Sequence, residues 1–127
     1  MPKPAAKKGD SVSAIDVHFE IVSGQPVLVP NKYEGSLTSG LSPDVLVENK
    51  WAATIGSGSE QRPPHAPQQG PFVKEPTNKG VVISGEATVL INNKPAARST
   101  DVVKTCCDPV DLPVGTISAE STVLIVG

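Results

Sequence analysis

The sequence predicts an all-β fold made of short strands joined by tight turns. The 127 residues include 13 prolines and 11 glycines, which interrupt helices and favour turns. Short aliphatic runs, such as Val45–Val47 and Val89–Ile91, recur between these turns. A near-repeat is the third observation, because ISGEATVLI at 83–91 returns as ISAESTVLI at 117–125. With only four aromatic residues, we expect a modest core of Val, Ile, Leu and Ala.

The repeated unit is a strand, a polar turn and an alanine-rich phrase. VLINNKPAARSTD at 89–101 corresponds to VLVENKWAATIGS at 45–57, whereas PAAKKGD at 4–10 has only the second half and TVLIVG at 122–127 only the first. We therefore predict a closed arrangement of three pseudo-repeated units in a single domain, residues 1–127. Two runs, 27–29 and 45–47, fit the strand of the middle unit, and we favour 45–47 because the alanine phrase follows it.

The individual elements follow from alternation and from turn residues. Ser11–Val22 predicts a strand, with Val17, Phe19 and Ile21 on one face and His18 and Glu20 on the other. Three more strands are expected at 27–29, 81–83 and 88–91, the last one ending at an Asn92–Asn93 turn with positive φ. Two segments, 31–44 and 56–80, predict long irregular loops, and the second holds five prolines and His65.

Histidines and cysteines follow the three phrases at comparable distances. His18 lies eight residues after Asp10, His65 lies eight after Ser57, and Cys106 and Cys107 lie five and six after Asp101. Equivalent positions of a pseudo-threefold fold converge, and imidazole with thiolate favours tetrahedral Zn²⁺. The fourth ligand is open between the second thiol, water and a carboxylate such as Asp108. The competing interpretation is two ordinary histidines and a buried thiol pair.

The PAAR phrase at Pro95–Arg98, its weaker copies and the strands before them resemble the PAAR-repeat proteins, the small conical tips of contractile injection systems such as type VI secretion spikes and related phage tail-like machines. The resemblance covers the chain apart from insertions near 25–40 and 68–80. It implies a metal near the apex of the cone, held by histidines and a cysteine. The family's usual set of metal ligands has three histidines, whereas this chain has only two. The resemblance implies zinc, with iron as the alternative, and the ligands we predict are His18, His65, Cys106 and Cys107.

The resemblance also implies a function. We expect a tip that caps the trimeric spike, one tip per trimer, helps to pierce the target envelope in transient contact with its membrane, and can accompany effector cargo. Val45–Val47, Val89–Ile91 and Val123–Ile125 are the expected base that meets the spike. The alternative is a metal-stabilised β-rich adaptor or binding module of a phage or secretion particle without a piercing role.

Other classes of function lack support in the sequence. A net charge of -2 with no clustered basic face gives no case for nucleic-acid binding. The first residues lack the apolar segment of a signal peptide, so we expect synthesis in the cytoplasm, assembly into the injection particle and delivery outside the cell. A cysteine nucleophile at Cys106 or Cys107, activated by His18 or His65, lacks any flanking signature, and we expect no enzymatic activity.

Overall fold

The computed structural model describes residues 2–126 and is all-β. Met1 and Gly127, the two ends of the predicted domain, lie outside the described residues. The strands are β1 Lys3–Pro4, β2 Ser11–Val22, β3 Gln25–Ser39, β4 Leu46–Val47, β5 Lys50–Trp51, β6 Gly58–Gln61, β7 Lys79–Val82, β8 Glu86–Ile91, β9 Lys94–Ala96, β10 Val102–Thr105, β11 Leu112–Ser118 and β12 Leu124–Ile125. No helix of membrane-spanning length and hydropathy occurs between residues 2 and 126.

Six strands close a barrel in the order β10-β11-β2-β3-β6-β7, with every pairing antiparallel. The other six form three two-stranded antiparallel sheets, β1–β12, β4–β5 and β8–β9. Two of them are β-hairpins and β1–β12 joins the first and last strands of the chain, but we call all three hairpins because their pairing is equivalent. Each alanine phrase thus connects a hairpin to a barrel strand, which confirms three repeated β units.

The three hairpins have the same register. Lys3 pairs with Ile125, Lys50 with Val47 and Lys94 with Ile91. Two of the hairpins close through two-residue turns with positive φ, at Glu48–Asn49 (50° and 66°) and Asn92–Asn93 (53° and 64°). This geometry matches the right-handed twist of paired strands and favours asparagine. The strand of the middle unit is therefore the 45–47 run, and the 27–29 run belongs to β3.

Three alanines at the centre of the phrases form a closed ring of backbone hydrogen bonds. Ala6 N–H donates to Ala97 O (2.9 Å), Ala97 N–H to Ala53 O (3.0 Å) and Ala53 N–H to Ala6 O (3.0 Å). All three are at most 1% exposed, so only a very small side chain fits where the three chains meet. We call this set the alanine ring.

The turn after each phrase is also repeated. The backbone N–H of Lys7, Thr54 and Arg98 donates to the side chain three residues later, respectively Asp10 (2.9 Å), Ser57 (2.9 Å) and Asp101 (2.7 Å). The residue before that acceptor has positive φ each time, at Gly9 (90°), Gly56 (93°) and Thr100 (73°). Short polar side chains at these positions thus stabilise a turn that directs the chain into the barrel.

The barrel core begins directly below these turns. The N–H groups of Leu37, Val82 and Ile117 donate to the carbonyls of Asp10, Ser57 and Asp101, respectively. All three side chains are at most 2% exposed and pack in one cluster with Val12, Tyr33 and Val103, among others. The hydrophobic core therefore lies between the alanine ring and the rest of the barrel.

The prediction of a loop at 31–44 is wrong over most of that range, because β3 runs from Gln25 to Ser39. Alternation from Val29 to Leu37 buries one face of this strand, and Pro30 does not end it. Around Pro30 the strand has a strand partner only in β2, and proline is tolerated where one side of a strand is free. Gly35 has no room for a Cβ, which would lie 2.9 Å from the Tyr33 ring and 3.0 Å from Glu60 O.

The predicted loop at 56–80 is shorter than expected. Its ends form β6 and the start of β7, and residues 71–73 lie along β2 through hydrogen bonds from Ile21 N–H to Pro71 O (2.8 Å) and from Val73 N–H to Phe19 O (2.9 Å). Residues 62–70 and 74–78 remain irregular, and the N–H groups of residues 68–70 donate to Glu20 of β2. The near-identical segments at 83–91 and 117–125 also diverge at their starts, because Ile83 is 43% exposed and Ile117 is 2% exposed.

Candidate metal centre

The second half of β2 turns its polar face inward. Asp16, His18 and Glu20 are at most 1% exposed, whereas Ile15 is 59% and Ile21 is 36% exposed. Alternation predicted two faces for this strand, and the buried face is the one that carries the charged and polar side chains. Buried polar groups must be paired, so the inner face of β2 defines where partners converge.

Four side chains converge at this face. His18 and Asp16 come from β2, His65 comes from the irregular segment after β6, and Cys106 follows β10. Their candidate ligand atoms all lie within 4.8 Å of one another, and we call this set the donor cluster. Asp16 Oδ2 lies 2.9 Å from His65 Nε2 and 3.4 Å from Cys106 Sγ, and the sulfur lies 3.8 Å from His18 Nε2.

Cys107 lies beside the donor cluster. Its sulfur is 3.6 Å from Asp16 Oδ1, the other oxygen of the carboxylate that Cys106 contacts. Both thiols are buried, and both contact Asp16 although they are adjacent in the chain. The chain leaves the strand at Thr105, so the strict alternation that would place adjacent side chains on opposite faces no longer applies.

Asp16 is the member that sequence reasoning missed. Burial alone would raise its pKa, but hydrogen bonds from His18, His65, Thr105 and Cys106 outweigh burial and hold the pKa below its usual range. The carboxylate is therefore ionised and available as a ligand. Its spacing was a usable signal, because Asp16 stands two residues before His18 and so shares its face of the strand.

The thiols are in their neutral form without a cation beside them. Burial, and then the negative charge of Asp16, raise the pKa of Cys106 to about 12 and also raise the pKa of Cys107. A divalent cation reverses this balance, because it stabilises the thiolate directly. Cys106, His18 and Asp108 lie in the order of a catalytic triad, with 3.8 Å from Cys106 Sγ to His18 Nε2 and 3.6 Å from His18 Nδ1 to Asp108 Oδ2. The burial that keeps the Cys106 thiol neutral nevertheless argues against a nucleophilic role.

The donor cluster fits a tetrahedral metal. Bonds of about 2.0 Å to N or O and about 2.3 Å to S imply separations between ligand atoms of roughly 3.3–3.7 Å. Four of the six separations, those of Asp16 from the other three donors and of Cys106 from His18, run from 2.9 to 3.9 Å, and all six are within 4.8 Å, so shifts of about 1 Å or less would bring the four atoms into place. His18 Nδ1 is buried without a hydrogen-bond partner, with Asp108 Oδ2 at 3.6 Å, so Asp108 faces the ring nitrogen opposite the cluster.

The segment that brings His65 to the cluster is fixed at several points. His65 N–H donates to Asn78 Oδ1 (2.7 Å). Further along, Glu20 Oε1 accepts the N–H groups of Gln68, Gln69 and Gly70 at 3.0, 2.7 and 3.0 Å. Burial raises the pKa of Glu20, but these three donors outweigh it and keep the pKa below its usual range. A buried carboxylate on β2 thus anchors the loop.

Comparison with known families finds a match in the C-terminal part of the chain. Residues 74–127 match the family model of the PAAR motif. No curated protein and no solved structure matches the chain significantly. The matched residues contain the PAAR phrase, the β8–β9 hairpin, one member of the alanine ring and both cysteines. The chain therefore carries a PAAR motif at residues 74–127, and its resemblance to the PAAR-repeat proteins of contractile injection systems is confirmed.

Proposed function

We propose that the protein is the metal-stabilised tip of a contractile injection system, capping a trimeric spike and helping it to pierce the target envelope. The observation that carries this proposal is the set of three hairpins with one register around the alanine ring. A monomer that presents three equivalent hairpins can meet three equivalent strand ends at once. One tip per spike trimer is the stoichiometry that follows.

The surface that meets the spike is the outer side of the hairpins. Leu46, Leu90 and Leu124 occupy equivalent positions opposite Trp51, Pro95 and Pro4, and they are 51%, 57% and 55% exposed. Their strand neighbours Val47 and Ile125 are 4% and 6% exposed and pack inward with the alanines. Three exposed leucines in a threefold arrangement are apolar contacts that suit a symmetric partner.

The metal is held by His18, His65 and Cys106, with Asp16 in the place of the third histidine. Cys107, which the sequence also predicted as a ligand, lies close enough to substitute for one of the donors after a small movement. Zinc suits this mixed set best, and iron is the alternative. The ion would join β2, the segment after β6 and the end of β10, so its binding free energy would add to the stability of the fold.

The β2–β3 hairpin supports contact with the target membrane. Across its outward face, Ile15, Ile21 and Leu28 are 59%, 36% and 46% exposed. An apolar exposed face on the advancing part of a spike would tolerate contact with lipid. Synthesis in the cytoplasm, assembly into the particle, delivery outside the cell and accompanying effector cargo belong to the same proposal.

An adaptor without a piercing role is the second candidate. The observation that favours it is a cavity of about 390 Å³ lined by the proline-rich segment from Arg62 to Gln68 together with Asn31, Lys32, Glu34 and Gln61. Exposed prolines lose little entropy on binding, so this segment suits a docking role.

The stoichiometry of binding separates the two candidates. Purified protein is mixed with the trimeric spike protein of the same injection system, and the complex is weighed by native mass spectrometry. One copy per spike trimer is the expected result. Three copies per trimer would contradict the tip and leave the adaptor.

A further inference from the structure

Gln61, the last residue of β6, has an amide whose orientation is determined by the backbone. Its Oε1 accepts the Glu34 N–H at 3.0 Å, and its Nε2 donates to Pro63 O at 3.3 Å. A backbone N–H can only donate and a backbone carbonyl can only accept. A reversed amide would lose both bonds, so the hydrogen-bond partners determine which end of the Gln61 amide is Oε1 and which is Nε2.

This orientation determines the tautomer of His65. Gln61 Nε2 lies 3.1 Å from His65 Nδ1 and carries only donors, so Nδ1 must accept. A neutral imidazole has one N–H, which is then on Nε2. His65 Nε2 lies 2.9 Å from Asp16 Oδ2, a carboxylate oxygen that can accept this proton in a hydrogen bond. Each contact of the ring is therefore consistent with the Nε2–H form.

The Nε2–H form conflicts with metal binding through the same nitrogen. A histidine ligand donates a lone pair, so Nε2 must lose its proton and a neutral ring then carries one on Nδ1. That proton would face the amide donors of Gln61 at 3.1 Å. The ring has little room to move away, because the His65 side chain is 2% exposed and the backbone N–H of His65 is held by Asn78.

His18 provides the internal contrast. Its Nε2 faces Cys106 and Asp16, while its Nδ1 faces the Asp108 carboxylate at 3.6 Å and no donor. An Nδ1–H on His18 therefore has an acceptor nearby, as ligating histidines usually do. Of the two histidines, only His65 has to change its hydrogen bonding to bind a metal through Nε2.

We propose that Gln61 is a positioning residue that holds His65 in the Nε2–H tautomer and couples metal binding to reversal of its own amide. On binding, the Nε2 proton is released, a proton from water occupies Nδ1, and the turned Gln61 Oε1 accepts it. The reversal breaks the hydrogen bonds of the Gln61 amide to Glu34 N–H and Pro63 O. Because the loss of these bonds accompanies metal binding, it lowers the metal affinity. This inference rests on the proposed metal site.

Substituting Gln61→Glu tests the coupling. A carboxylate can accept from Glu34 N–H and from His65 Nδ1–H together, so no reversal is needed. We expect zinc affinity, measured by competition with a chromophoric chelator, to rise about tenfold or more. Asn78→Asp is the matched control, since it adds the same charge beside His65 but contacts the backbone N–H and not the ring. An equal gain in both variants would overturn the role of Gln61.

Nitrogen NMR of the histidine side chains tests the tautomer without any substitution, so the proposal stays testable if Gln61→Glu does not fold. At about pH 8 we expect the Nε2–H form in metal-free protein, and the Nδ1–H form with faster exchange of the Glu34 amide after zinc is added. An Nδ1–H form in metal-free protein would overturn the inference and leave the metal site intact. Failure of the wild type to bind zinc would instead remove the proposed metal site, and the coupling with it.

Discussion

The part of the molecule that carries the hairpins is built three times, whereas the part that carries the donor cluster is built once. At the hairpins, equivalent contacts join the alanine ring, the turns after the phrases and the strand pairs. At the cluster, β2 supplies two donors, an irregular segment supplies one and the end of β10 supplies one. The unit containing β2 has strands of 12 and 15 residues, and β6 and β10 each have four.

The difference shows what kind of interaction tolerates divergence. Backbone hydrogen bonds make the repeats at the hairpins, so Pro4, Trp51 and Pro95 can occupy one equivalent position without disturbing the ring. Side chains make the donor cluster, so each donor must be a particular residue type at one place. Symmetry built by the backbone can persist while the sequence diverges, and a single site built by side chains cannot be inferred from symmetry alone.

Metal removal should have the largest effect, and it acts on the cluster. We expect close to one zinc per chain, and chelation should lower the free energy of unfolding by about 4 kcal/mol when free zinc had been about a thousandfold above its Kd. Metal content by mass spectrometry and melting by circular dichroism measure this. Cys106→Ser combined with Cys107→Ser should remove the metal. Native protein free of metal, with melting unchanged by chelator, would contradict the site.

A substitution in the alanine ring should have the next largest effect, and it acts on the repeated part. Ala53→Leu places three extra carbons where the residue is 0% exposed, which should lower the free energy of unfolding by about 3 kcal/mol. Denaturant unfolding measures the loss. Ala87→Leu, at an exposed position of β8, is the control and should change stability by less than about 0.5 kcal/mol. Similar stabilities for the two variants would mean that the ring is not tightly packed.

Single charges at the three exposed leucines should reduce spike binding without unfolding the protein. Leu46→Lys, Leu90→Lys and Leu124→Lys each place an amine in the proposed interface, and we expect at least a tenfold loss of affinity for each. Surface plasmon resonance against the trimeric spike, with circular dichroism for folding, measures both properties. Leu28→Lys, 46% exposed on the outer face of β3, is the control and should bind normally. If all three leucine variants fold and still bind, the base lies elsewhere.

The two cysteines should differ by the smallest amount, and this difference sharpens the description of the cluster. Cys106 lies in the set of donors within 4.8 Å, whereas Cys107 is outside that set, with its sulfur 3.6 Å from Asp16 Oδ1. We therefore expect Cys106→Ser to weaken zinc binding more than Cys107→Ser does. A chelator competition assay on the two single variants compares them directly. The reverse order would place Cys107 in the coordination sphere.

Much of the hairpin region follows from local chemistry that can be read in the chain. Asn92–Asn93 favours a two-residue turn with positive φ, and the phrases at 4–10, 51–57 and 95–101 align because each ends in a short polar side chain that accepts the N–H three residues earlier. These interactions span a few residues, so the sequence alone was sufficient to predict three units, the 45–47 strand and the all-β class.

The donor cluster depended on the tertiary structure, although the sequence proposed two histidines and a cysteine that the fold brings together. Alternation along β2 defines two faces, but only packing against β10 and the segment after β6 decides that Asp16, His18 and Glu20 point inward. The strand through Pro30 likewise depends on which of its sides has a neighbour. Local patterns determine backbone conformation over a few residues. Which face of a strand is buried, and which residues a side chain contacts, are determined by residues distant in the chain.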